Sequence, residues 1–206
     1  MRNAFILVFI IFLTSCQSLY YPQKTNIPLF TQKKQSEIDL SIGNNGFALL
    51  SSYSPINNFG TQINLYYINF FKDSLIYGTK EIYLSLGYWN KYKNKFIWEI
   101  YTGIGKGVNL YKGDSIKTNS MFVQPNIGWR DENFILGFST KLNLNNMNLN
   151  NQKYIIPAFE PNLLLGLGYK HIYFSVNSGL SFIPIKKTPE IKTLYLSLSC
   201  GIKFKF

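Results

Sequence analysis

Few residues in this chain have the type and spacing to do chemistry. It holds two cysteines, Cys16 and Cys200, and a single histidine, His171. A general base must lie within hydrogen-bond reach of the proton it takes. His171 falls between two apolar-alternating stretches, beside Lys170, and reads as a turn residue. Two cysteines and one histidine do not make up the usual four-ligand zinc set. Gly103-Ile104-Gly105-Lys106-Gly107 and Gly166-Leu167-Gly168 lack the spacing and the following helix of a phosphate-binding loop. Their glycines alternate with apolar residues and suit a crowded interior or a twisted strand. The Asn-rich stretch Asn143 to Asn151 reads as a polar outer loop, which could also meet a sugar. No catalytic set, metal or cofactor is expected.

Cys16 is the most specific residue. Arg2 gives a positive start, Ala4 to Leu13 is a short apolar core, and Leu13-Thr14-Ser15-Cys16 follows. The core is too short to span a bilayer, so residues 1–15 read as a cleaved targeting segment. Leu13-Thr14-Ser15-Cys16 resembles the lipobox of bacterial lipoproteins. The resemblance implies that lipoprotein-processing enzymes acylate Cys16 and cut the chain before it. Several acyl chains would anchor firmly, since each buried methylene contributes about 0.8 kcal/mol. The alternative is an ordinary signal peptide that contains a cysteine. Cys200 lies on an apolar strand face and reads as a small hydrophobe.

Composition narrows what these residues sit on. Of 206 residues, 17% are aromatic and only 15% are charged. Soluble domains carry about 25% charged residues. After the first segment no apolar run is long enough for a helical span. The formal charge is +11, but the lysines and arginines are scattered rather than gathered in a stripe. Nucleic acid is therefore excluded as a partner, and rims facing anionic lipid head groups account for the charge.

From Ser36 the pattern has a period of two, the signature of strands. Leu194, Leu196, Leu198, Cys200, Ile202, Phe204 and Phe206 share one face of the last stretch, opposite Ser197, Ser199, Gly201 and Lys203. Six further stretches between Glu81 and Phe182 alternate as clearly. Glu37 to Gly43, Phe47 to Tyr53 and Thr61 to Phe70 are weaker. The fold expected is all-β: a single antiparallel transmembrane β-barrel over residues 36–206. About ten strands are expected, or eight if the first two stretches stay outside. Residues 16–35, with Pro22 and Pro28, read as a lipidated tether or a packing segment on the periplasmic side.

Alternation alone does not choose the outer face, and a lipocalin-like soluble barrel would turn its apolar face inward. The polar face here is rich in Gly, Ser and Asn and carries Glu99, Arg130, Lys141, Glu160 and Lys203, which can compensate one another in a lumen. Trp98, Trp129, Tyr88 and Tyr169 stand toward the ends of the apolar faces, as interfacial girdles do. Short inner turns are expected at residues 54–58, 93–95, 131–133 and 170–171. Longer outer loops are expected at 71–78, 108–116, 145–157 and 183–191. Pro125 and Pro161 remove ladder donors, so bulges or strand starts near the outer rim are expected there.

The terminal strand, ending in Phe204 and Phe206, resembles the segment of bacterial outer-membrane barrels that the barrel-assembly machinery recognises. With Gln124-Pro125-Asn126 and Glu160-Pro161-Asn162, the mature chain resembles small outer-membrane barrel lipoproteins of Bacteroidota type. That resemblance implies a barrel, outer-membrane lipids as surroundings, and no assigned activity. Both termini would be periplasmic, with Cys16 tying the tether to the inner leaflet. The expected role is structural or surface interaction, with lumen charges pairing to plug the barrel. A small polar channel and a lipid-modifying or proteolytic enzyme are the alternatives.

Overall fold

The computed structural model describes residues 23–44, 46–72, 75–93, 95–111, 114–149, 152–184 and 194–206. Cys16 and the targeting segment lie outside the described residues. Ten strands form one closed antiparallel barrel. They are β1 (Ser36–Gly43), β2 (Gly46–Tyr53), β3 (Phe59–Lys72), β4 (Leu75–Tyr92), β5 (Phe96–Tyr111), β6 (Asp114–Arg130), β7 (Phe134–Leu149), β8 (Gln152–Tyr169), β9 (Ile172–Phe182) and β10 (Leu194–Lys205). Each strand pairs with its sequence neighbours, and β10 closes on β1 with Glu37 opposite Lys205. The first two stretches are part of the wall, so the eight-strand alternative fails.

The alternation that defines the strands also defines their faces. Leu84, Leu86, Ile127, Phe138, Leu165 and Phe174 are exposed on the outside, while Ser85, Asn126, Ser139, Asn162 and Ser175 are buried inside. This is the reverse of a soluble barrel with an apolar core. Closure leaves no sheet edge along the paired strands. The four lower connections, at residues 54–58, 93–95, 131–133 and 170–171, lie where expected. The end that carries them is called the lower end, and β1 begins and β10 finishes there.

The upper end differs from the expectation of long loops. β5 runs to Tyr111 and β6 starts at Asp114; β7 runs to Leu149 and β8 starts at Gln152. Segments 71–78, 108–116 and 145–157, read as loops, are mostly strand. The physical reason is a change in the polarity of the outer face. Leu84, Ile104, Met121, Leu144 and Pro157 stand side by side on the outer face. One step higher, Lys106, Asn119 and Asn146 stand side by side and are exposed. The inner face changes as well, to Ile116, Met147 and Ile156, all buried. Along β6 and β7 the outward positions turn polar while Ile116 and Met147 lie inside, which reads as a polar loop in a linear sequence. Segment 183–191 lies mostly outside the described residues.

The strands around the wall differ in height. β1 and β2 have 8 residues each, whereas β4 and β8 have 18. β1 stops pairing with β10 at Gly43–Ser199, and β2 stops pairing with β3 at Phe47–Tyr67. The wall therefore has a notch at its upper rim over the β1–β2 hairpin. Asn44 caps the exposed flank of β10: its amide donates to Leu196 O (2.9 Å), and its side-chain oxygen accepts from Leu198 N (2.9 Å).

Pro125 and Pro161 make neither a bulge nor a strand start. Both lie within strands, and the register is unchanged on either side: Val123 faces Leu142 and Asn126 faces Ser139. Each costs a local gap in one ladder, as a residue without N–H must.

Candidate functional site

The lumen holds a second piece of chain. Residues 23–30, read as part of a tether below the barrel, run inside it and are buried throughout. Ile27 and Leu29 pack with Ile97, Ile135, Leu164 and Tyr173. Phe30 packs with Trp89 and Tyr101. The wall makes room with small residues. A Cβ added at Gly128 would sit 2.5 Å from Leu29 Cδ1, and one added at Gly60 would sit 2.8 Å from Phe30 Cε2. Leu29 has a left-handed backbone (φ 53°), an uncommon conformation for a residue with a side chain. Two other observations hold it there: its side chain is fully buried, and Arg130 binds its carbonyl.

Polar contacts meet the plug on several sides. Arg130 Nη1 donates to Pro28 O (2.6 Å) and Leu29 O (3.3 Å) and pairs with Glu37. Lys203 Nζ donates to Ile27 O (2.8 Å) and stands 3.3 Å from Glu37 Oε2. Gln124 donates to Asn26 O (2.7 Å), and Tyr66 OH donates to Lys24 O (2.6 Å). Phe30 N donates to Glu99 Oε1 (2.9 Å), while Asn126 donates to the other carboxylate oxygen (2.9 Å). Lys24 bridges to Asp39 at 2.9 Å.

Magnitudes show why both kinds of contact are needed. Ordering a residue costs about 1–2 kcal/mol of backbone entropy. Burying a large apolar side chain contributes about 1.5–3 kcal/mol. Ile27, Leu29 and Phe30 alone do not hold eight residues in place; the charge-assisted bonds to carbonyls, about 1.5–3 kcal/mol each, complete the binding.

The five lumen charges read from sequence are all buried, but they do not form one network. Arg130 and Lys203 meet at Glu37. Glu99 serves the plug amide and Asn126, not a cation. Lys141 lies higher, opposite Glu160 in the register, with its ammonium 4.0 Å from the Tyr83 ring centroid and 4.7 Å from that of Phe122. Sequence reasoning missed Lys24, Glu37 and Asp39. The signal for two of them was present: Glu37, Asp39 and Ser41 alternate with Ile38, Leu40 and Ile42 on β1. Among the described residues, the buried charges balance formally. Lys24, Arg130, Lys141 and Lys203 stand against Glu37, Asp39, Glu99 and Glu160.

Among the described residues, the upper lumen is filled by the wall. Ile116, Met147, Ile156, Ala158 and Ile183 form a buried apolar cluster with Tyr154 against it. No protein-family model matches the chain, and comparison with curated proteins returns no similar sequence.

The remaining candidates stay apart from the lumen. His171 lies in the lower turn between β8 and β9, exposed, with Nδ1 2.9 Å from Lys205 O. Cys200 is a free thiol on the outer face. Among the described residues, no group of three His, Cys, Asp or Glu side chains could hold a metal. Phe206 is exposed, and its N–H donates to Ser36 O (2.9 Å), closing the seam at the lower end. Phe204 faces Ile38 on the outer side of that seam.

Proposed function

We propose that this protein is an outer-membrane β-barrel lipoprotein, closed to solutes by its own N-terminal segment and non-enzymatic, whose role is structural or one of surface interaction. The observation that carries the reading is the plug itself: residues 23–30 occupy the lumen where a channel would have to run. A ten-stranded barrel has little interior to spare.

The outer face supports a bilayer as its surroundings. On β6 the outward apolar run from Met121 to Trp129 covers nine residues. At about 3.3 Å per residue and a tilt near 40°, such a run rises about 23 Å, close to the apolar band of outer-membrane barrels. Tyr88 and Trp98, with ring centroids 5.4 Å apart, and the exposed Trp129 and Tyr169 stand toward its lower edge, where interfacial aromatics belong. Short turns below and tall strands above match the periplasmic and extracellular ends. In this reading the barrel-assembly machinery engages the strand ending in Phe204 and Phe206, and the part of β4–β8 above Met121 meets the surface partner.

Reconstitution into a planar bilayer tests the closed state. The full mature protein is expected to give no steady unitary current. Steady currents from the wild-type protein would favour the small-channel reading.

A further inference from the structure

From the outer face above the apolar band, we infer a binding site for one lipid with a phosphorylated head group. Lys106, Lys117 and Lys153 hold the phosphate, and an acyl chain lies in the depression beneath them. The inference rests on the membrane reading above and names an occupant for the foot of the tall β4–β8 ribbon.

The register gathers the cations. Lys106 faces Asn119, Val108 faces Lys117, and Asn148 faces Lys153. Thr118 pairs with Met147, which sets Lys117 beside Asn148. Lys106 and Lys117 are therefore diagonal neighbours on one face, about 7–8 Å apart. Lys117 and Lys153 stand two strands apart, about 10 Å at the usual strand spacing. Asn119, Asn146 and Asn148 stand among them, and all six side chains are exposed. The asparagine amides can donate to phosphate oxygens and to head-group hydroxyls.

These lysines differ from the others on the outer face. Lys80 lies over the Tyr67 ring at 5.4 Å, Lys93 over Tyr92 at 5.3 Å, and Lys170 over Tyr169 at 5.1 Å. Lys95 pairs with Asp131. Among the described residues, Lys106, Lys117 and Lys153 have neither a ring nor a carboxylate partner. The carboxylates of the same strands point elsewhere. Glu99 and Glu160 are buried in the lumen, Glu81 accepts from Tyr83 OH (3.0 Å) on the inner side, and Asp114 is in step with the inward Ile116. Like charges this close on one face repel, and an anion among them removes that cost. A phosphate monoester suits the place, with about −1.5 to −2 of charge and three acceptor oxygens.

Directly below is a place for a chain. Ile104, Met121, Leu144 and Pro157 stand side by side one step below Lys106, Asn119 and Asn146. Met121, Val123, Leu142, Leu144, Pro157 and Phe159 line a depression of about 530 Å³ that extends downward from this row. Cations above and an apolar depression below match the two ends of a lipid. A second depression, of about 550 Å³ at Ile42, Val176, Leu198 and Cys200, has no such cations. Among the described residues of β9, β10 and β1, the lysines are Lys203 and Lys205, both at the lower end. A soluble phosphate would use the lysines alone; the depression beneath them favours a lipid.

The test uses the full mature protein, purified from the membranes of a bacterial host in a mild nonionic detergent. Native mass spectrometry counts the lipid it retains. The probes are dioleoyl phosphatidic acid, dioleoyl phosphatidylcholine, and glycerol 3-phosphate, which is the phosphatidic acid head group without chains. The wild type is expected to retain one phosphatidic acid in preference to phosphatidylcholine, and glycerol 3-phosphate is expected not to displace it. Lys106→Gln/Lys117→Gln/Lys153→Gln is expected to weaken retention about a hundredfold, since each lysine near an anionic surface is worth about fivefold. The same charge removed at the lower end, in Lys91→Gln/Lys93→Gln/Lys170→Gln, is expected to leave retention unchanged. Val123→Trp, which fills the depression, is expected to weaken it with the lysines intact. Equal loss from the two triple variants, or equal retention of the two lipids, overturns the site. Displacement by glycerol 3-phosphate assigns the lysines to a soluble phosphate and overturns the lipid. Unchanged retention in Val123→Trp overturns the seat of the chain. Recovery of the wild type from the soluble fraction of the cells sinks the membrane reading itself; a membrane-embedded barrel without selective retention sinks only the lipid site.

Discussion

Among the described residues, a separate segment of chain fills the lumen below the level of Lys24, and above it the wall fills its own interior. The two solutions use different chemistry. The lower half sets Arg130, Lys203, Gln124, Tyr66 and Glu99 against plug carbonyls and one plug amide. The upper half combines apolar contacts among Ile116, Met147, Ile156, Ala158 and Ile183 with hydrogen bonds between wall side chains, Thr79 to Asn109 and Asn109 to Thr118. The lower half is a binding site occupied by its own chain, and the upper half carries an apolar cluster built by the wall.

The largest expected effect comes from breaking the lower half. Arg130→Met removes the donor to Pro28 and Leu29 and leaves Glu37 with Lys203 as its remaining cation. Removing one partner of a buried ion pair costs about 3–5 kcal/mol. The expected outcome is a barrel that unfolds at lower denaturant, with protease cleavage appearing within residues 23–35. Lower denaturant resistance with those residues still protected would mean that Arg130 supports the wall rather than the plug.

A middle-sized effect should come from the upper half. Ile156→Ala leaves a cavity in the apolar cluster, a change that costs about 2–5 kcal/mol when the site cannot collapse. The tall ribbon is partly free to close over it, so the low end of that range is expected. Protection of residues 23–35 should stay at the wild-type level, because no plug residue belongs to this cluster. Exposure of the plug in this variant would show that the two halves are one cooperative unit.

How far these halves could be read in advance differs for a physical reason. In the wall from Ser36 to Lys205, period-two alternation is local, and the turns at 54–58, 93–95, 131–133 and 170–171 interrupt it visibly. The strand count, the outward face and the lumen position of Glu99, Arg130 and Lys203 follow from that pattern. The plug follows no period. Pro28 and the left-handed Leu29 make 23–30 irregular, and its partners lie far away in sequence, as with Gln124 and Asn26. Nothing local to residues 23–30 signals burial, because the partners of Lys24, Asn26 and the plug carbonyls lie on the distant wall. The upper strands were misread for another cause. The alternation persists through Asn145, Asn146, Met147 and Asn148, but its polar side changes from inside to outside at the edge of the apolar band.

The smallest effect belongs outside both halves, in the lower turns. Lys95 and Asp131 form an exposed pair at 2.5 Å, with the Lys95 ammonium beside Asp131 and the Glu132 amide donating to it (2.7 Å). Both contacts favour the ionised carboxyl and hold it below its ordinary range. A carboxyl lowered in the folded state contributes stability above its unfolded value, and loses it as pH falls through the folded one. Asp131→Asn is therefore expected to shift the denaturant midpoint least among the three variants at neutral pH, since exposed pairs are screened by solvent. The difference from wild type should vanish in acid, below the ordinary carboxylate range near about 4. Denaturant midpoints measured at neutral and acid pH check both statements. A shift that survives in acid would mean that the Asp131 side chain supports the turn by shape, and that the contrast between polar and apolar filling extends below the plug.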